Sequence, residues 1–392
     1  MNVLQLTNSF HQGGSERQAV QLARLLKQSG CCEVYVACLD RNGALLDEAL
    51  NLGLEEIPEF PLTSFYDRNA LKQMRRFVDY VREHQIDVVQ THDFYSNVFG
   101  MAAAARARVP VRIASKRETG GMRTASQKYV ERQAYRLAHA IVVNSEAVGQ
   151  QLIQDGVRAS KLVTVYNGLD LNRVMVDGSQ SRDETLASLG LPGGDLRFVT
   201  IVANLQHEVK DHATFLRAAS RIHQAVPEAA FVLAGEGRLK DSLRGLATEL
   251  GLEGNTFFIG RCDRIAALLA VSDVCVLSST AEGFSNAILE YMAAARPVVA
   301  TDVGGAREAV TEGQTGHLVA AGNDEALATN VISLLRNPER GRIMGEQGRR
   351  TVEEKFSCDA QLSTTINLYQ RLLERSHRST FRPVEDVHHK GV

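Results

Sequence analysis

Residues 274–303 read VCVLSSTAEGFSNAILEYMAAARPVVATDV. Two short apolar runs, Val274–Leu277 and Val298–Thr301, flank a helical pattern. The stretch therefore reads as strand, turn, helix and second strand. Both runs are apolar along their whole length, which implies parallel strands covered on both faces. Glu282 and Glu290 stand eight residues apart, and Gly283 sits in the turn. A helix rises roughly 1.5 Å per residue, so the two carboxylates lie up to ~12 Å apart along it. Carboxylates accept hydrogen bonds from paired hydroxyls. The free N–H groups of a helix start, lying between the two acids, suit an anion. Acid, phosphate-binding amides, acid: this order describes a site for a sugar joined through a diphosphate to a ribose.

The same alternation continues outward. In the second half, Arg197–Ala203, Ala230–Ala234 and Thr256–Ile259 also read as buried strands, with helices between them. The first half repeats the pattern at Val3–Thr7, Val34–Leu39, Leu54–Phe60, Val88–Thr91, Arg112–Ser115, Ile141–Asn144 and Leu162–Tyr166. Helical periodicity marks Glu16–Gln28 and Leu71–His84. The fold class is α/β, with two doubly wound domains. A first domain is expected over residues 1–170 and a second over 196–358. The polar segment 171–195, with Gly178, Pro192, Gly193 and Gly194 and one helical pattern, joins them. An amphipathic helix over 359–376 carries Leu362, Ile366, Tyr369 and Leu373 on one stripe, and 377–392 is a polar, flexible tail. A cleft between two such domains is the expected site.

The 392 residues are 44% hydrophobic and 23% charged, with a formal net charge of -2. That balance fits a globular protein and gives no overall field for nucleic acid. Charge is concentrated locally: residues 106–136 hold nine Lys/Arg and two acids. Anionic lipid attracts each basic residue by ~1 kcal/mol, so peripheral contact with an anionic membrane is one reading of this stretch. A solvated helix face, or arginines lining the cleft, is the other. The six cysteines form no CxxC pair and suggest buried free thiols in a reducing cytosol. No leader-like stretch precedes the first strand, and no run approaches eighteen apolar residues. A cytoplasmic location is expected, with possible association at the inner face of the membrane.

Further motifs stand at strand ends. Gly13-Gly14-Ser15-Glu16 opens the first helix; it either admits a phosphate close to the backbone or serves as an ordinary turn. His92, after the strand IDVVQ, either faces the cleft or caps its strand. Lys210, in NLQHEVKD, either neutralises a diphosphate or is solvated. Gly235-Glu236-Gly237 reads foremost as turn chemistry.

Together these pieces resemble the family 4 retaining glycosyltransferases of the GT-B fold. The likeness runs from GGSER through SEAV (145–148), YNGLD (166–170), GEG (235–237), GRCD (260–263) and SDVCVLSS (272–279) to EGFSNAILE and RPVVATDVGG. It implies two Rossmann-like domains facing a central cleft, with the C-terminal helix crossing back to the first domain. It implies catalytic roles for His92, Lys210 and Glu282: His92 facing the reacting sugar, Lys210 stabilising the departing diphosphate, and Glu282 holding sugar hydroxyls. Gly14 would approach a phosphate, Phe284, Ser285 and Asn286 would offer backbone amides, and Glu290 would bind the ribose. Arg261 lies where the family's base-recognition loop begins.

The implied activity is metal-independent transfer from a nucleoside-diphosphate-sugar to a glycan or lipid-linked acceptor, in surface polysaccharide assembly. No separate cofactor is implied. Two departures stand out. Asn204 occupies the place of an arginine that joins the lysine on the phosphates in the family, and Ala295 stands where glycine is usual. Arg261 is one candidate substitute cation. A nucleotide-sugar epimerase of the same fold and a catalytically silent sugar-nucleotide-binding protein are the alternatives. A nicotinamide dehydrogenase is disfavoured because GxGxxG is missing.

Overall fold

The computed structural model describes residues 1–380 except 12, 55, 66, 119–123 and 176–179. Gly178 of the expected linker and the tail from 381 onward lie outside the described residues.

Among the described residues, twelve strands form two parallel sheets. The first sheet contains β1 (Asn2–Thr7), β2 (Glu33–Cys38), β3 (Val88–Thr91), β4 (Val111–Lys116), β5 (Ala140–Val143) and β6 (Leu162–Thr164). Its order is β2-β1-β3-β4-β5-β6. The second contains β7 (Arg197–Val202), β8 (Ala229–Ala234), β9 (Thr256–Gly260), β10 (Val274–Leu277), β11 (Val298–Thr301) and β12 (Gly316–Val319), in the order β12-β11-β10-β7-β8-β9. Each sheet reverses its direction of winding beside its own first strand, where β1 meets β3 and β7 meets β10. Ligands of open α/β sheets bind outside such switch points, and the turns there carry the residues of interest.

One expected strand assignment needs correction, and one strand stands where none was expected. Leu54–Phe60 is not a strand: it makes a single parallel bridge, Cys38 to Glu59. Pro58 and Pro61 lack the N–H donors that a longer ladder needs. Conversely, β12 was not expected, because GHLV shows too short an apolar run.

The helix Asn286–Ala293 lies between β10 and β11 as its sequence implied, and the next residues turn through Ala295 at φ 55. The left-handed region costs a non-glycine residue roughly 1–2 kcal/mol, so this substitution carries local strain.

The expected linker is partly domain. Ser181 and Glu184 form a capping box on the helix Arg182–Ser188. Leu186 and Leu191 then pack into the second domain's core with Phe198 and Leu268. The chain crosses between the domains twice, side by side, and Leu169 N–H donates to the Phe356 carbonyl at 2.8 Å. The helix Cys358–Thr380 then lies on the first domain. Leu368, Tyr369 and Leu372 join that domain's core, with Leu362, Ile366 and Leu373 packed alongside. The fully buried Tyr369 hydroxyl accepts from Gln5 Nε2 at 3.0 Å and donates to Gln90 Oε1, which ties the crossover helix to β1 and β3.

All six cysteines are free; Cys38 and Cys275 are buried as expected, whereas Cys31 is exposed. Among the described residues no helix is long and apolar enough to cross a membrane.

Candidate active site

A cavity of about 1060 Å³ lies between the two domains and is lined by both. The first domain contributes Gly14, Ser15, Arg17, Arg117 and Asn144; the crossing segment contributes Asn167 and Arg173. From the second domain come Asn204, Lys210, Arg261, and the turn from Glu282 to Asn286 with Glu290 beyond it.

Lys210 and Glu282 reach one another through stitched loops. The chain turns sharply at Asp211 (φ 44), whose carboxylate caps the helix His212–Ala225 by accepting from Thr214 N–H at 3.1 Å. That fixes the position of Lys210 just before the helix. Ser278 Oγ donates to the Lys210 carbonyl at 2.9 Å, and Thr280 N–H to the Val209 carbonyl at 2.8 Å. The turn after β10 is thereby laid beside the turn after β7. Lys210 Nζ stands 2.5 Å from Glu282 Oε1, and Ser279 Oγ donates to the same oxygen at 2.7 Å. The carboxylate faces the cavity rather than the core.

Gly283 follows because nothing larger fits. An added Cβ there would lie 2.0 Å from the Arg117 carbonyl oxygen of the facing domain. Phe284 turns its ring inward, 5.1 Å from Tyr166 and 5.2 Å from Phe356, and leaves its backbone at the cavity. No side chain caps the helix that begins at Asn286, so its first-turn amides stay available to an anion. Asn286 itself is held by Asn167 Nδ2, at 2.9 Å from its Oδ1. One helical turn on, burial raises the Glu290 pKa above the usual carboxylate value, and Arg173 and Arg17 partly offset it.

The remaining expected residues divide. Gly14 opens its helix at the cavity, with open space where a Cβ would stand. Asn204 lines the cavity and accepts from Gln206 N–H at 3.2 Å. Arg261 also lines it, paired with Asp263 at 2.9 Å. His92 is a correction. It is 1% exposed and does not line the cavity; its Nε2 is 2.6 Å from Gln5 Oε1. Its neighbour on β1 offers a buried amide, so the ring turns into the sheet rather than toward a substrate. Burial, then the nearby Arg117, hold its pKa well below the usual histidine value.

The GEG turn is as its chemistry implied. Gly235 and Gly237 adopt φ 155 and 156, and a Cβ at Gly235 would lie 2.0 Å from the Ala203 carbonyl. The stretch 106–136 does not form one basic face. Lys116 and Arg117 are buried and Lys116 pairs with Glu131 at 3.3 Å, while residues 119–123 lie outside the described set.

Sequence reasoning gave no individual role to Arg17, Arg117, Asn167 or Arg173, although arginines lining the cleft were one reading of the stretch that holds Arg117. It also missed a clasp between the domains. Glu308 of the second domain accepts from the backbone N–H groups of Glu146 and Ala147 at 2.7 and 3.0 Å, and Ser145 Oγ donates to the Gly283 carbonyl at 3.0 Å. The SEAV and YNGLD motifs both fall at this joint, which was a signal available in the sequence.

Two family models match side by side: Glycosyltransferase Family 4 over residues 12–173 and Glycosyl transferases group 1 over 181–351. The Bacillus subtilis protein EpsD is 36% identical over 165 residues, 42% of this chain and 43% of its own length. The N-acetyl-alpha-D-glucosaminyl L-malate synthase of Bacillus anthracis is 32% identical over 231 residues, 58% of this chain and 59% of its own. The chain thus spans about half the length of these two relatives. HepE from Anabaena, solved with UDP-glucose, superposes with a TM-score of 0.82 at 22% identity, covering 94% of this chain and 100% of that one. By both halves of its sequence and by its two facing parallel-sheet domains, the chain belongs to the family 4 glycosyltransferases of the GT-B fold.

Proposed function

We propose that the chain moves a sugar, with retention, from a nucleoside-diphosphate-sugar to a glycan or lipid-linked acceptor in surface polysaccharide assembly. The observation that carries this reading is the grouping of Lys210, Glu282, the uncapped start of the helix Asn286–Ala293 and Glu290 along one wall of a cavity between two domains. A diphosphate placed at the helix start would put its sugar at Glu282 and its ribose at Glu290. The bond from the sugar's C1 to the phosphate oxygen breaks, and its electron pair leaves with the diphosphate. Lys210 and the helix amides answer that growing charge, without a divalent cation. The acceptor oxygen bonds to C1 on the same face, and its proton passes to the departing phosphate.

HepE was solved with UDP-glucose, so uridine is the first donor base to test. Thermal-shift measurements with UDP-, GDP- and ADP-sugars should show stabilisation by one donor class. Donor incubated alone should yield no isomer, which separates transfer from epimerisation. The reading fails if no sugar nucleotide shifts the melting temperature, or if donor alone is isomerised.

A further inference from the structure

Arg117 follows the end of β4, at the joint between the domains, and is one of the residues lining the cavity. The residue is 9% exposed. Nη1 donates to Asn167 Oδ1 at 2.8 Å, but Nε has no partner. The nearby carboxylates Glu118 and Glu131 are taken by Lys116, and no ion pair forms at Arg117 among the described residues. A buried cation without a counter-ion costs several kcal/mol unless an anion completes it.

The partners of Asn167 mark where that anion would lie. Asn167, which accepts from Arg117, donates in turn to the Phe284 carbonyl at 3.2 Å and to Asn286 Oδ1 at 2.9 Å. Asn286 begins the helix whose start no side chain caps. A buried guanidinium and the positive end of a helix therefore flank one Asn167–Asn286 link. The second domain alone is short of positive charge there. Lys210 is matched by Glu282, Arg261 is matched by Asp263, and residue 204 is a neutral asparagine.

We propose that Arg117, carried by the first domain, is a second cation on the diphosphate of the donor held by the second domain. This rests on the donor reading above. Full neutralisation of the leaving group then requires both domains in contact, at the point where the Arg117 carbonyl meets Gly283. Donor bound to an open cleft would be spared premature cleavage.

The test compares the wild type with Arg117→Met and Arg117→Gln by calorimetric titration, without acceptor. The probes are UDP, GDP and ADP, with uridine, guanosine and adenosine as controls. For the diphosphate that binds the wild type, both variants should bind roughly 10–100-fold more weakly, with affinity for the nucleoside unchanged. The melting temperature without ligand should stay level or rise, because an uncompensated buried charge has been removed. Wild-type affinity in both variants, while Lys210→Met loses it, would overturn the role of Arg117 and leave the donor reading intact. A fall of several degrees in both ligand-free variants, with diphosphate affinity unchanged, would mark the arginine as structural. Failure of the wild type to bind any of the three diphosphates would overturn both.

Discussion

Lys210 Nζ and Glu282 Oε1 meet at 2.5 Å across the turns that follow β7 and β10. On the proposed reading, this contact pairs the cation for a leaving group with the carboxylate for a sugar. A diphosphate would then compete for the ammonium, and the freed carboxylate would turn to hydroxyls. Because the two groups exchange partners together, their loss should not multiply. Lys210→Met and Glu282→Gln are each expected to lower kcat roughly 10²–10³-fold. The double variant should fall little below the worse single one, as groups acting as a unit do. Initial rates at saturating donor decide this; a double loss equal to the product of the singles would show two independent roles.

Two glycines in the same cavity are predicted to behave oppositely. A Cβ at Gly283 would stand 2.0 Å from a backbone oxygen of the facing domain, whereas one at Gly14 would meet nothing within 4 Å. Gly283→Ala must part the domains or distort the turn, so it should lower the melting temperature by about 5 °C and slow transfer. Gly14→Ala should leave the melting temperature unchanged and weaken nucleoside diphosphate binding, because its Cβ occupies only space that a phosphate would need. Scanning calorimetry beside binding titrations separates the two effects. Equal thermal losses in both variants would contradict the assigned geometry.

The alternation of apolar runs was legible because each run is closed by Gly, Pro or polar residues and each strand is buried on both faces. The spacing of Glu282 and Glu290 placed both acids on the cavity, since the intervening helix follows from local pattern alone. Leu54–Phe60 misled because apolar content outweighed the two prolines on paper, while a ladder depends on N–H donors. The direction of His92 was not legible either. It is set by Gln5, 87 positions away in sequence and adjacent only in the folded sheet. Arg17 drew no reading of its own, and Arg117 was read only among the arginines of 106–136, for a related reason. Their pattern belongs to the first domain, and they become part of a site only where that domain meets the helix Asn286–Ala293 of the second.

Buried neutral histidines give the fold a predictable response to acid. His212 is 2% exposed at the start of its helix, and its Nε2 has no hydrogen-bond partner. Burial pushes its pKa down to about 4, and a hydrogen bond to the Ala203 carbonyl offsets only part of that. His92 is shifted in the same direction by burial and by Arg117. In the unfolded chain a histidine titrates near 6.5. Between that value and about 4 the unfolded state binds the extra proton and the folded state does not. Stability contributed by neutral His212 is therefore present above pH 6.5 and declines as pH falls through this window, by at most ~1.4 kcal/mol per pH unit. Glu290 and Asp93, whose pKa values burial raises, oppose the trend. They hold protons in the folded state at pH values where the unfolded chain has lost them, which favours the folded form toward acid. Urea unfolding at pH 7, 6 and 5 should show the net decline, and His212→Gln should flatten it by about 1 kcal/mol per pH unit. Parallel pH profiles for the variant and the wild type would mean that the ring is protonated within the fold and that its surroundings accommodate the charge.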